Sequence, residues 1–436
     1  SGAGETVLAR IGESRRASKA GLGGIEEICQ ARRSRRRTGH TKKTDVKRWT
    51  VFCNGPGNSH GRTQIIRTEA QHLSATPSRT ERVCAQLTVE QIEHDTPDSV
   101  VVTFTPPEPR EPWSFRHGQH LVLRRHVDGT EIRRSYSICS PAPDGPLRVS
   151  IKRVPGGAMS TWATTELRTG DKIDALPPSG HFSHDLDAAT GRRYTVLAAG
   201  SGITPILSIV ATVLRDEPES SVRLLYVNRT SASTMLLEAL EDLRDRHLGR
   251  LEIAYVFTRE QSEAELLGGR PDRARLDALI DAGLFPADAD QVFLCGPIDL
   301  VTLAQESLVA AGTDPERIHR ELFSAEQLGS IRSDAPQVVD DSVPIVASGT
   351  ATLHGRDTAF DVYEGDSVLD AVQRVRPDAP FSCRSGVCST CQARLVDGAV
   401  DMAVNYGLEP RDVERGMVLT CQSRATTSRV VVDYDG

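Results

Sequence analysis

Four cysteines near the end of the 436-residue chain constrain its fold more than any other feature. Cys383, Cys388 and Cys391 lie in the run CRSGVCSTC, and 29 residues separate Cys391 from Cys421. This C-x4-C-x2-C spacing with one distant cysteine is the plant-type arrangement for a [2Fe–2S] cluster. Zinc also accepts four thiolates, but zinc sites usually combine two C-x2-C pairs, and here the fourth ligand stands alone. The spacing therefore predicts a [2Fe–2S] site, with zinc as the alternative.

The start of the chain has a different composition. Residues 1–80 are rich in Arg, Ser, Gly and Thr without a sustained apolar period, so we expect a disordered basic tail, with a nucleic-acid or membrane-surface arm as the alternative. Residues 1–50 carry a net charge of +8, which leaves −15 for the rest of a chain whose total is −7. This acidic remainder argues against nucleic acid as the main partner.

The remaining residues divide into segments of different periodicity. Residues 81–185 contain short alternating runs broken by Pro, Gly and Asp, a pattern typical of an antiparallel β-barrel. Residues 186–324 alternate apolar runs with amphipathic ones, which predicts an α/β domain with a parallel sheet. Residues 325–342 read as a polar linker. Residues 343–436, which hold the four cysteines, suit a small α+β domain.

The apolar runs and the cysteine pattern predict the cellular compartment of the protein. No run of about 18 apolar residues is present, and the first residues lack the apolar centre of a secretory signal. The nine cysteines do not form the even framework of a disulfide-stapled secreted domain. We therefore expect a cytoplasmic protein with reduced thiols and no stable membrane insertion.

Two motifs in residues 81–185 indicate a flavin site. The run RSYS at 134–137 supplies a guanidinium, which suits phosphate, and an aromatic ring, which suits a flat apolar cofactor. An ordinary strand with alternating polar residues is the alternative. The run VPGGAMSTW at 154–162 places glycines before a helix start, where backbone N–H groups can approach a pyrophosphate. The candidate flavin-binding residues are Arg134, Tyr136, Ser137, Gly156, Gly157 and Ser160.

A nicotinamide dinucleotide site is indicated in the next domain. The run GSGITP at 200–205 follows a strand and opens a helix, although Pro205 interrupts the full G-x-G-x-x-G pattern. The following strand ends in YVNRTSAS, which has no acid for a ribose hydroxyl but suits a 2′-phosphate. We therefore predict NADPH, with NADH as the less favoured coenzyme. The candidate residues are Gly200, Gly202, Thr204, Pro205, Asn228 and Arg229.

Taken in order, these motifs resemble the ferredoxin–NADP reductase superfamily over residues 81–436. The resemblance implies a C-terminal plant-type ferredoxin domain with a β-grasp fold, and it favours FAD over FMN because PPSGHF and GGAMSTW are similar to the FAD-binding members. It also implies that LCGP at 294–297 and HRELF at 319–323 lie near the nicotinamide, with a small buried thiol and a core Phe as the alternatives. The residues concerned are Cys295, Gly296, Pro297, Glu321 and Phe323.

The order flavin, nicotinamide, ferredoxin resembles oxygenase reductases. It implies hydride transfer from NADPH to FAD, followed by single-electron steps to the [2Fe–2S] cluster and an external oxygenase. The stretches RRSYSICSPAP, VNRT and HRELF are most similar to reductases of phenylacetyl-CoA epoxidases, which implies a di-iron oxygenase as partner. Reductases of 3-ketosteroid hydroxylases or fatty acyl desaturases are the alternatives, and a non-catalytic iron–sulfur redox sensor or carrier is the alternative of another class.

Overall fold

The computed structural model describes residues 51–52, 63–67, 84–127, 129–323 and 343–436. The expected linker over 325–342 and most of the expected disordered tail over 1–80 lie outside these residues. Within the tail, β1 (Val51–Phe52) and β2 (Thr63–Arg67) are described as paired strands. In the described part of the chain, no helix is long and apolar enough to cross a membrane.

The first domain is an antiparallel sheet of six strands in the order β6-β5-β8-β3-β4-β7. A bridge between Ile138, just after β6, and Val149 in β7 brings the two edge strands together and closes the barrel. Apolar side chains that alternate along the strands fill its interior, among them Leu87, Val102 and Leu121. The elements are β3 (Ala85–Thr96), β4 (Ser99–Thr105), β5 (His120–Val127), β6 (Thr130–Ser137), β7 (Leu147–Lys152), α1 (Ala158–Thr165) and β8 (Lys172–Ser179).

The second domain is a parallel five-stranded sheet in the order β11-β10-β9-β12-β13. Its central strand reads RYTVLAA and is buried after the first residue, because apolar clusters cover both faces of the sheet. The elements are β9 (Arg193–Ala199), α2 (Ile203–Asp216), β10 (Ser221–Asn228), α3 (Leu237–Arg246), β11 (Leu251–Phe257), α4 (Arg273–Asp281), β12 (Gln291–Gly296), α5 (Ile298–Ala310) and β13 (Ile318–Leu322).

A buried carboxylate fixes the chain where it enters this sheet. Glu217, which follows α2, is fully buried and pairs with Arg192 at 2.6 Å. It also accepts hydrogen bonds from the Tyr194 hydroxyl at 2.7 Å, the Ser220 hydroxyl at 2.8 Å and the Asp187 amide at 2.9 Å. Because a buried charge is stable only when it is fully paired, this network fixes the end of α2 relative to the start of β9.

The third domain has a mixed sheet in the order β16-β18-β14-β15, with β17 paired to β16 and β2 added to the free edge of β16. The helix α6 begins with a capping box between Ser367 and Asp370 and packs Val368, Leu369 and Val372 against the sheet. The elements are β14 (Ile345–Leu353), β15 (Arg356–Tyr363), α6 (Val368–Val375), β16 (Gln392–Met402), α7 (Pro410–Glu414), β17 (Met417–Leu419) and β18 (Ser423–Asp433). The three expected fold classes, a barrel, a parallel α/β domain and an α+β domain, are confirmed.

Candidate functional site

The two glycine motifs of the parallel sheet meet at its carboxyl edge. GSGITP follows β9 and LCGP ends β12, and these neighbouring strands are where the strand order reverses. Open α/β sheets bind ligands at this position. A Cβ at Gly202 would lie 2.4 Å from the Cys295 carbonyl oxygen, and a Cβ at Gly296 would lie 2.8 Å from the Ala199 Cβ. Glycine is therefore required at both positions for the two loops to approach each other.

The start of α2 is rigid. Thr204 and Pro205 lie in its first turn and are buried, and the Thr204 hydroxyl donates to the Ser201 carbonyl at 3.0 Å. Gly200 has φ +53° and its α-carbon faces open space. The exposed side of this turn is therefore backbone, which is the surface that a dinucleotide phosphate requires.

The end of β10 lies at the same edge of the sheet. Asn228 is buried, and its side-chain Nδ2 has no hydrogen-bond partner within the described residues. Arg229, the next residue, is exposed, and its carbonyl accepts the amide of Arg259 at 2.9 Å. The buried amide donor of Asn228, beside the exposed side chains of Arg229 and Arg259, fits a polar, anionic ligand such as a phosphorylated ribose.

The structure brings one acid to this edge that the sequence did not indicate. Glu260, just after β11, accepts hydrogen bonds from the Ser231 amide at 2.9 Å and from the Ser231 hydroxyl at 3.0 Å. The end of β10 contains no acid, as expected, but parallel pairing of β10 with β11 supplies one from the neighbouring strand. The signal that could have found it is the parallel register, which aligns the ends of consecutive strands.

The residues expected near the nicotinamide converge where the barrel meets the parallel sheet. In the register of β12 with β13, Cys295 lies opposite Glu321, and the Phe323 amide donates to the Gly296 carbonyl at 2.8 Å. From the barrel, Ser137 lies beside the Glu321 carboxyl and acts to lower its pKa. The structure therefore brings together Cys295, Glu321 and Phe323, and it adds Ser137 to them.

Burial controls the protonation of Glu321 and Cys295. It raises the pKa of Glu321 from its ordinary value near 4.5 to about 8, against the opposing effect of the neighbouring Ser137 hydroxyl. The second carboxyl oxygen, Oε2, is buried and has no partner among the described residues. Burial, followed by the nearby Glu321, also raises the pKa of the Cys295 thiol well above its usual range. Cys295 is therefore a neutral thiol, which is not the reactive form of a nucleophile.

Side chains of RSYS alternate across β6. Tyr136 packs against the apolar cluster of the barrel, and the Arg134 guanidinium donates to the Arg133 carbonyl at 2.6 Å. Because neighbouring strand residues point to opposite faces, Arg133, Ser135 and Ser137 share the other face. We call the face of the strand that carries Arg133, Ser135 and Ser137 the outer face of β6. The motif therefore presents two sets of side chains in two directions.

The glycine loop before α1 forms an open backbone cradle. Gly156 has φ +73°, and a Cβ there would have no atom within 4 Å, whereas a Cβ at Gly157 would lie 2.6 Å from the Ser160 hydroxyl oxygen. That hydroxyl accepts from the Val154 amide at 3.1 Å and donates to the Gly157 carbonyl at 3.2 Å. Ser160 therefore shapes the loop, and the open backbone at Gly156 fits a phosphate group.

The four cysteines of the third domain form two pairs. The Cys388 amide donates to the Cys383 sulfur at 3.4 Å, and the Cys383 amide donates to the Cys388 sulfur at 3.5 Å. The neighbouring Cys391 thiol, followed by burial, raises the pKa of the Cys421 thiol well above its usual range, so these two thiols lie side by side. No group of three or more His, Cys, Asp or Glu side chains among the described residues is arranged around a single metal-ion position. Two pairs of thiolates are the donor set of a dinuclear cluster.

Backbone amides lie around the Cys383 sulfur. The hydrogen bond from Cys388, together with the amides of Ser385 and Cys388, lowers the pKa of the Cys383 thiol to about 5 despite its burial. Gly386 has φ +77°, and a Cβ there would lie 3.0 Å from the Val404 carbonyl oxygen. Glycine thus lets the loop fold tightly, and its amides are placed to stabilise negative sulfur. The residues present therefore fit an iron–sulfur cluster.

Comparisons with known proteins agree with this geometry. Family models match an oxidoreductase FAD-binding domain at residues 86–184, an oxidoreductase NAD-binding domain at residues 196–306 and a 2Fe-2S iron-sulfur cluster binding domain at residues 351–426. The first match contains RSYS and the glycine loop, the second contains GSGITP and LCGP, and the third contains all four cysteines. HRELF lies between the second and third matches.

Relatives extend the match to the whole three-domain unit. The chain is 39% identical over 356 residues to a component of 1,2-phenylacetyl-CoA epoxidase from Escherichia coli (strain K12), covering 80% of this chain and 97% of that protein. It is 35% identical over 364 residues to the ferredoxin reductase component of 3-ketosteroid-9-alpha-monooxygenase from Mycolicibacterium smegmatis, with the same coverage of 80% and 97%.

A solved structure supports the fold. An intact type IV self-sufficient cytochrome P450 monooxygenase matches with a TM-score of 0.58 and 23% identity over 82% of this chain, which spans 43% of that longer protein. At this identity the match shows the fold alone. The sequence relatives, in contrast, are matched over nearly their full length. The chain belongs to the ferredoxin–NADP reductase superfamily, as an NAD(P)H-dependent oxygenase reductase with FAD-binding, NAD-binding and C-terminal [2Fe–2S] ferredoxin domains.

Proposed function

We propose that this reductase passes electrons from NADPH, through FAD and a [2Fe–2S] cluster, to a di-iron oxygenase of the phenylacetyl-CoA epoxidase type. The observation that carries this proposal is the 39% identity to the phenylacetyl-CoA epoxidase component of Escherichia coli, over 97% of its length. When bound, the flavin accepts two electrons as a hydride and releases them singly to a cluster that carries one at a time. A cytoplasmic location is part of the proposal because cluster ligation requires reduced thiols.

The flavin would be held by the barrel. Arg134 would bind flavin phosphate through a charge-assisted hydrogen bond, and Tyr136 would contact the ring system. Gly156 and Gly157 would admit the pyrophosphate to the open loop, whose shape Ser160 maintains. Support comes from the FAD-binding match, which spans all of these residues.

The nicotinamide coenzyme would lie along the carboxyl edge of the parallel sheet. Gly200, Gly202, Thr204 and Pro205 would form the phosphate turn, and Gly296 and Pro297 would border the nicotinamide. Support comes from the position of both loops at the point where the strand order reverses.

The group around Glu321 would complete the site of hydride transfer. With its pKa near 8, Glu321 is neutral at neutral pH, and it lies beside Ser137 at the boundary between the two domains. Cys295 contributes a neutral, buried wall, and Phe323 would cover the flavin face until the nicotinamide displaces it. These residues position the reactants and exclude water.

Preference for NADPH would depend on the charges at the end of β10. Arg229 and Arg259 are exposed at this edge, whereas Glu260 is bound to Ser231 and would repel a 2′-phosphate. Two cations against one carboxylate support NADPH, with Asn228 as an additional donor.

Reconstitution with an oxygenase tests the assigned partner. With the oxygenase components of phenylacetyl-CoA epoxidase, NADPH oxidation should require this reductase, the oxygenase and phenylacetyl-CoA, as followed by absorbance at the coenzyme band and by product analysis. Cytochrome c serves as an artificial acceptor that reports a competent reductase. Rapid cytochrome c reduction with no turnover of phenylacetyl-CoA, or with turnover of a ketosteroid oxygenase instead, would reject the assignment.

The cluster ligands can be tested by Cys388→Ala. The variant should lose the iron and the paramagnetic signal of the reduced cluster, yet flavin reduction by NADPH should stay within about twofold of wild type because separate domains hold the two centres. Cys139→Ala, which removes a buried thiol of the barrel, is the control and should keep its iron. Wild-type iron content in Cys388→Ala would contradict the ligand assignment.

Coenzyme choice can be tested by Arg229→Ala. Loss of a charge-assisted contact of about 1.5–3 kcal/mol should lower kcat/KM for NADPH at least tenfold, with little change for NADH. Arg223→Ala, at the amino end of the same strand, should leave the ratio of the two coenzymes unchanged. Equal losses with both coenzymes in Arg229→Ala would show that Arg229 does not read the 2′-phosphate.

Glu321→Gln should remove a pH dependence of stability. The unfolded carboxyl releases its proton near pH 4.5 and the folded one near 8, so wild-type stability falls as pH rises through this window. The free energy of unfolding of the variant relative to wild type should therefore increase by about 3 kcal/mol between pH 5.5 and pH 8. Urea titrations at pH 5.5 and 8 measure the change, with the exposed Glu316→Gln as control. A difference that is independent of pH would show that Glu321 ionises normally.

A further inference from the structure

The loop that carries the cluster cysteines lies against the flavin barrel. The hydroxyls of Ser135, in β6, and Ser382 form a hydrogen bond of 2.8 Å, and His120 Nε2, in β5, lies 3.2 Å from the Thr390 hydroxyl. Ser382 directly precedes Cys383, and Thr390 directly precedes Cys391. Two cysteines, one from each thiol pair, are therefore each one residue away from a contact with the barrel.

An arginine of the barrel is buried in this contact. Arg133 is 4% exposed, forms an ion pair with Glu131 at 2.6 Å, and places its guanidinium 4.2 Å from the centre of the Phe381 ring. Phe381 belongs to the ferredoxin domain and is 2% exposed. Arg384 lies over the same ring at 4.7 Å, and Asp370 holds it with an ion pair of 2.6 Å. The ring is thus contacted by one cation from each domain.

The burial of Arg133 depends on the arrangement of the domains. Glu131, its partner within the barrel, is only partly buried, and the ring that covers the guanidinium comes from the other domain. A buried guanidinium requires partners that replace water, and cation–π contact with a desolvated ring is one of them. Arg133 therefore has its full set of partners only while the ferredoxin domain is docked on the barrel.

The strand β6 contributes side chains to both proposed redox sites. Arg134 and Tyr136, the residues proposed to hold the flavin, alternate along β6 with Arg133 and Ser135, which contact the cluster loop. A displacement of the loop from the outer face of β6 would therefore increase its distance from the flavin residues directly.

We propose that Arg133 is a positioning residue for internal electron transfer: its stack on Phe381 holds the cluster loop against the outer face of β6. This inference rests on the proposed flavin and cluster sites. In each transfer, one electron leaves the reduced flavin and reduces one ferric iron of the cluster to ferrous iron. Arg133 takes no part in the chemistry of either centre, and it affects the rate through the distance between them.

Rapid mixing of the full-length holoprotein with NADPH in the absence of oxygen tests the proposal. In Arg133→Ala, the flavin should be reduced at a rate within about twofold of wild type, whereas the cluster should be reduced at least tenfold more slowly. Arg133→Lys, which keeps the charge but loses the planar stack, should lie between the two. A merely structural role would lower both rates together or release the cofactors.

Arg125→Ala is the matched control. The Arg125 guanidinium lies 4.5 Å from the Trp162 ring, so the variant removes the same kind of contact from the same barrel without touching the ferredoxin domain. Both rates should stay within about twofold of wild type. Equal slowing of cluster reduction in Arg125→Ala and Arg133→Ala would overturn the proposal, because it would show a general effect of the barrel.

Hydrogen exchange supplies a readout that does not depend on turnover. In Arg133→Ala, the peptide over residues 379–391 should exchange several-fold faster than in wild type, while the peptide over residues 423–433, in β18 of the same domain, should not change. Unchanged exchange in both peptides, or an unchanged rate of cluster reduction, would overturn the proposal. If Arg133→Ala fails to retain flavin, Arg133→Lys is compared by the same two measurements. A wild-type flavin that NADPH does not reduce would instead reject the proposed function.

Discussion

The outer face of β6 is the surface on which the three domains meet. Ser137 lies beside Glu321 of the parallel sheet and acts to lower its pKa, while Arg133 and Ser135 contact the ferredoxin domain. The opposite face carries Arg134 and Tyr136, the proposed flavin residues. The alternation of the strand thus separates the side chains proposed for the cofactor from those that face the neighbouring domains, and it places Ser137, which the motif also predicts to bind flavin, in the second set. A shift of one residue in the register of β6 would exchange the two sets, so the pairing of β6 with β5 matters to both.

The contacts between the ferredoxin domain and the rest of the protein combine one cation–π contact with weaker polar and apolar ones. A desolvated cation–π contact is worth about 2 kcal/mol, whereas a hydrogen bond such as that between Ser135 and Ser382 contributes about 1 kcal/mol net. On the parallel-sheet side, His319 lies 3.6 Å from Glu409, and Val387 and Tyr406 pack against an apolar cluster. Interfaces between domains that are built from such contacts are expected to allow relative motion unless they are large and hydrophobic.

The sequence could predict the features that are determined by residues close together along the chain. The cysteine spacing, the glycine turns and the alternation of strand and helix are local. The expected fold classes are confirmed, and the structure brings the cysteines together in two pairs and places the turns at the carboxyl edge of the parallel sheet. Cys295 and Glu321 are farther apart, but parallel pairing of β12 with β13 was implied by the α/β pattern and brings them together.

Contacts between domains could not be predicted in this way. Ser135 and Ser382 are 247 residues apart, and neither RSYS nor CRSGVCSTC indicates that the other is its neighbour. Glu260 is a different case: it reaches Ser231 within one domain, through the parallel pairing of β10 with β11 that the α/β pattern also implies, and it was missed because only the end of β10 was searched for an acid. The pairing of β2 with β16 likewise had no signal in a basic, polar segment. Local patterns determine which residues can carry out the chemistry, and packing between domains determines which of them meet.

The docked arrangement also limits how electrons can leave the protein. Ser382 and Thr390 are buried against the barrel, so this side of the cluster loop cannot touch the barrel and an oxygenase at the same time. Cys421 and Gln422, on the segment between β17 and β18, are partly exposed, and Gln422 donates to the Arg384 carbonyl at 2.8 Å across the loop. An acceptor therefore either approaches from the side of Cys421 while the domain stays docked, or it binds the covered side after Arg133 and Phe381 have separated. In the first case, a weaker stack between Arg133 and Phe381 would slow only the transfer of electrons from the flavin to the cluster. In the second case, it would also speed the transfer from the cluster to the oxygenase. One contact would then affect the two electron-transfer steps in opposite directions.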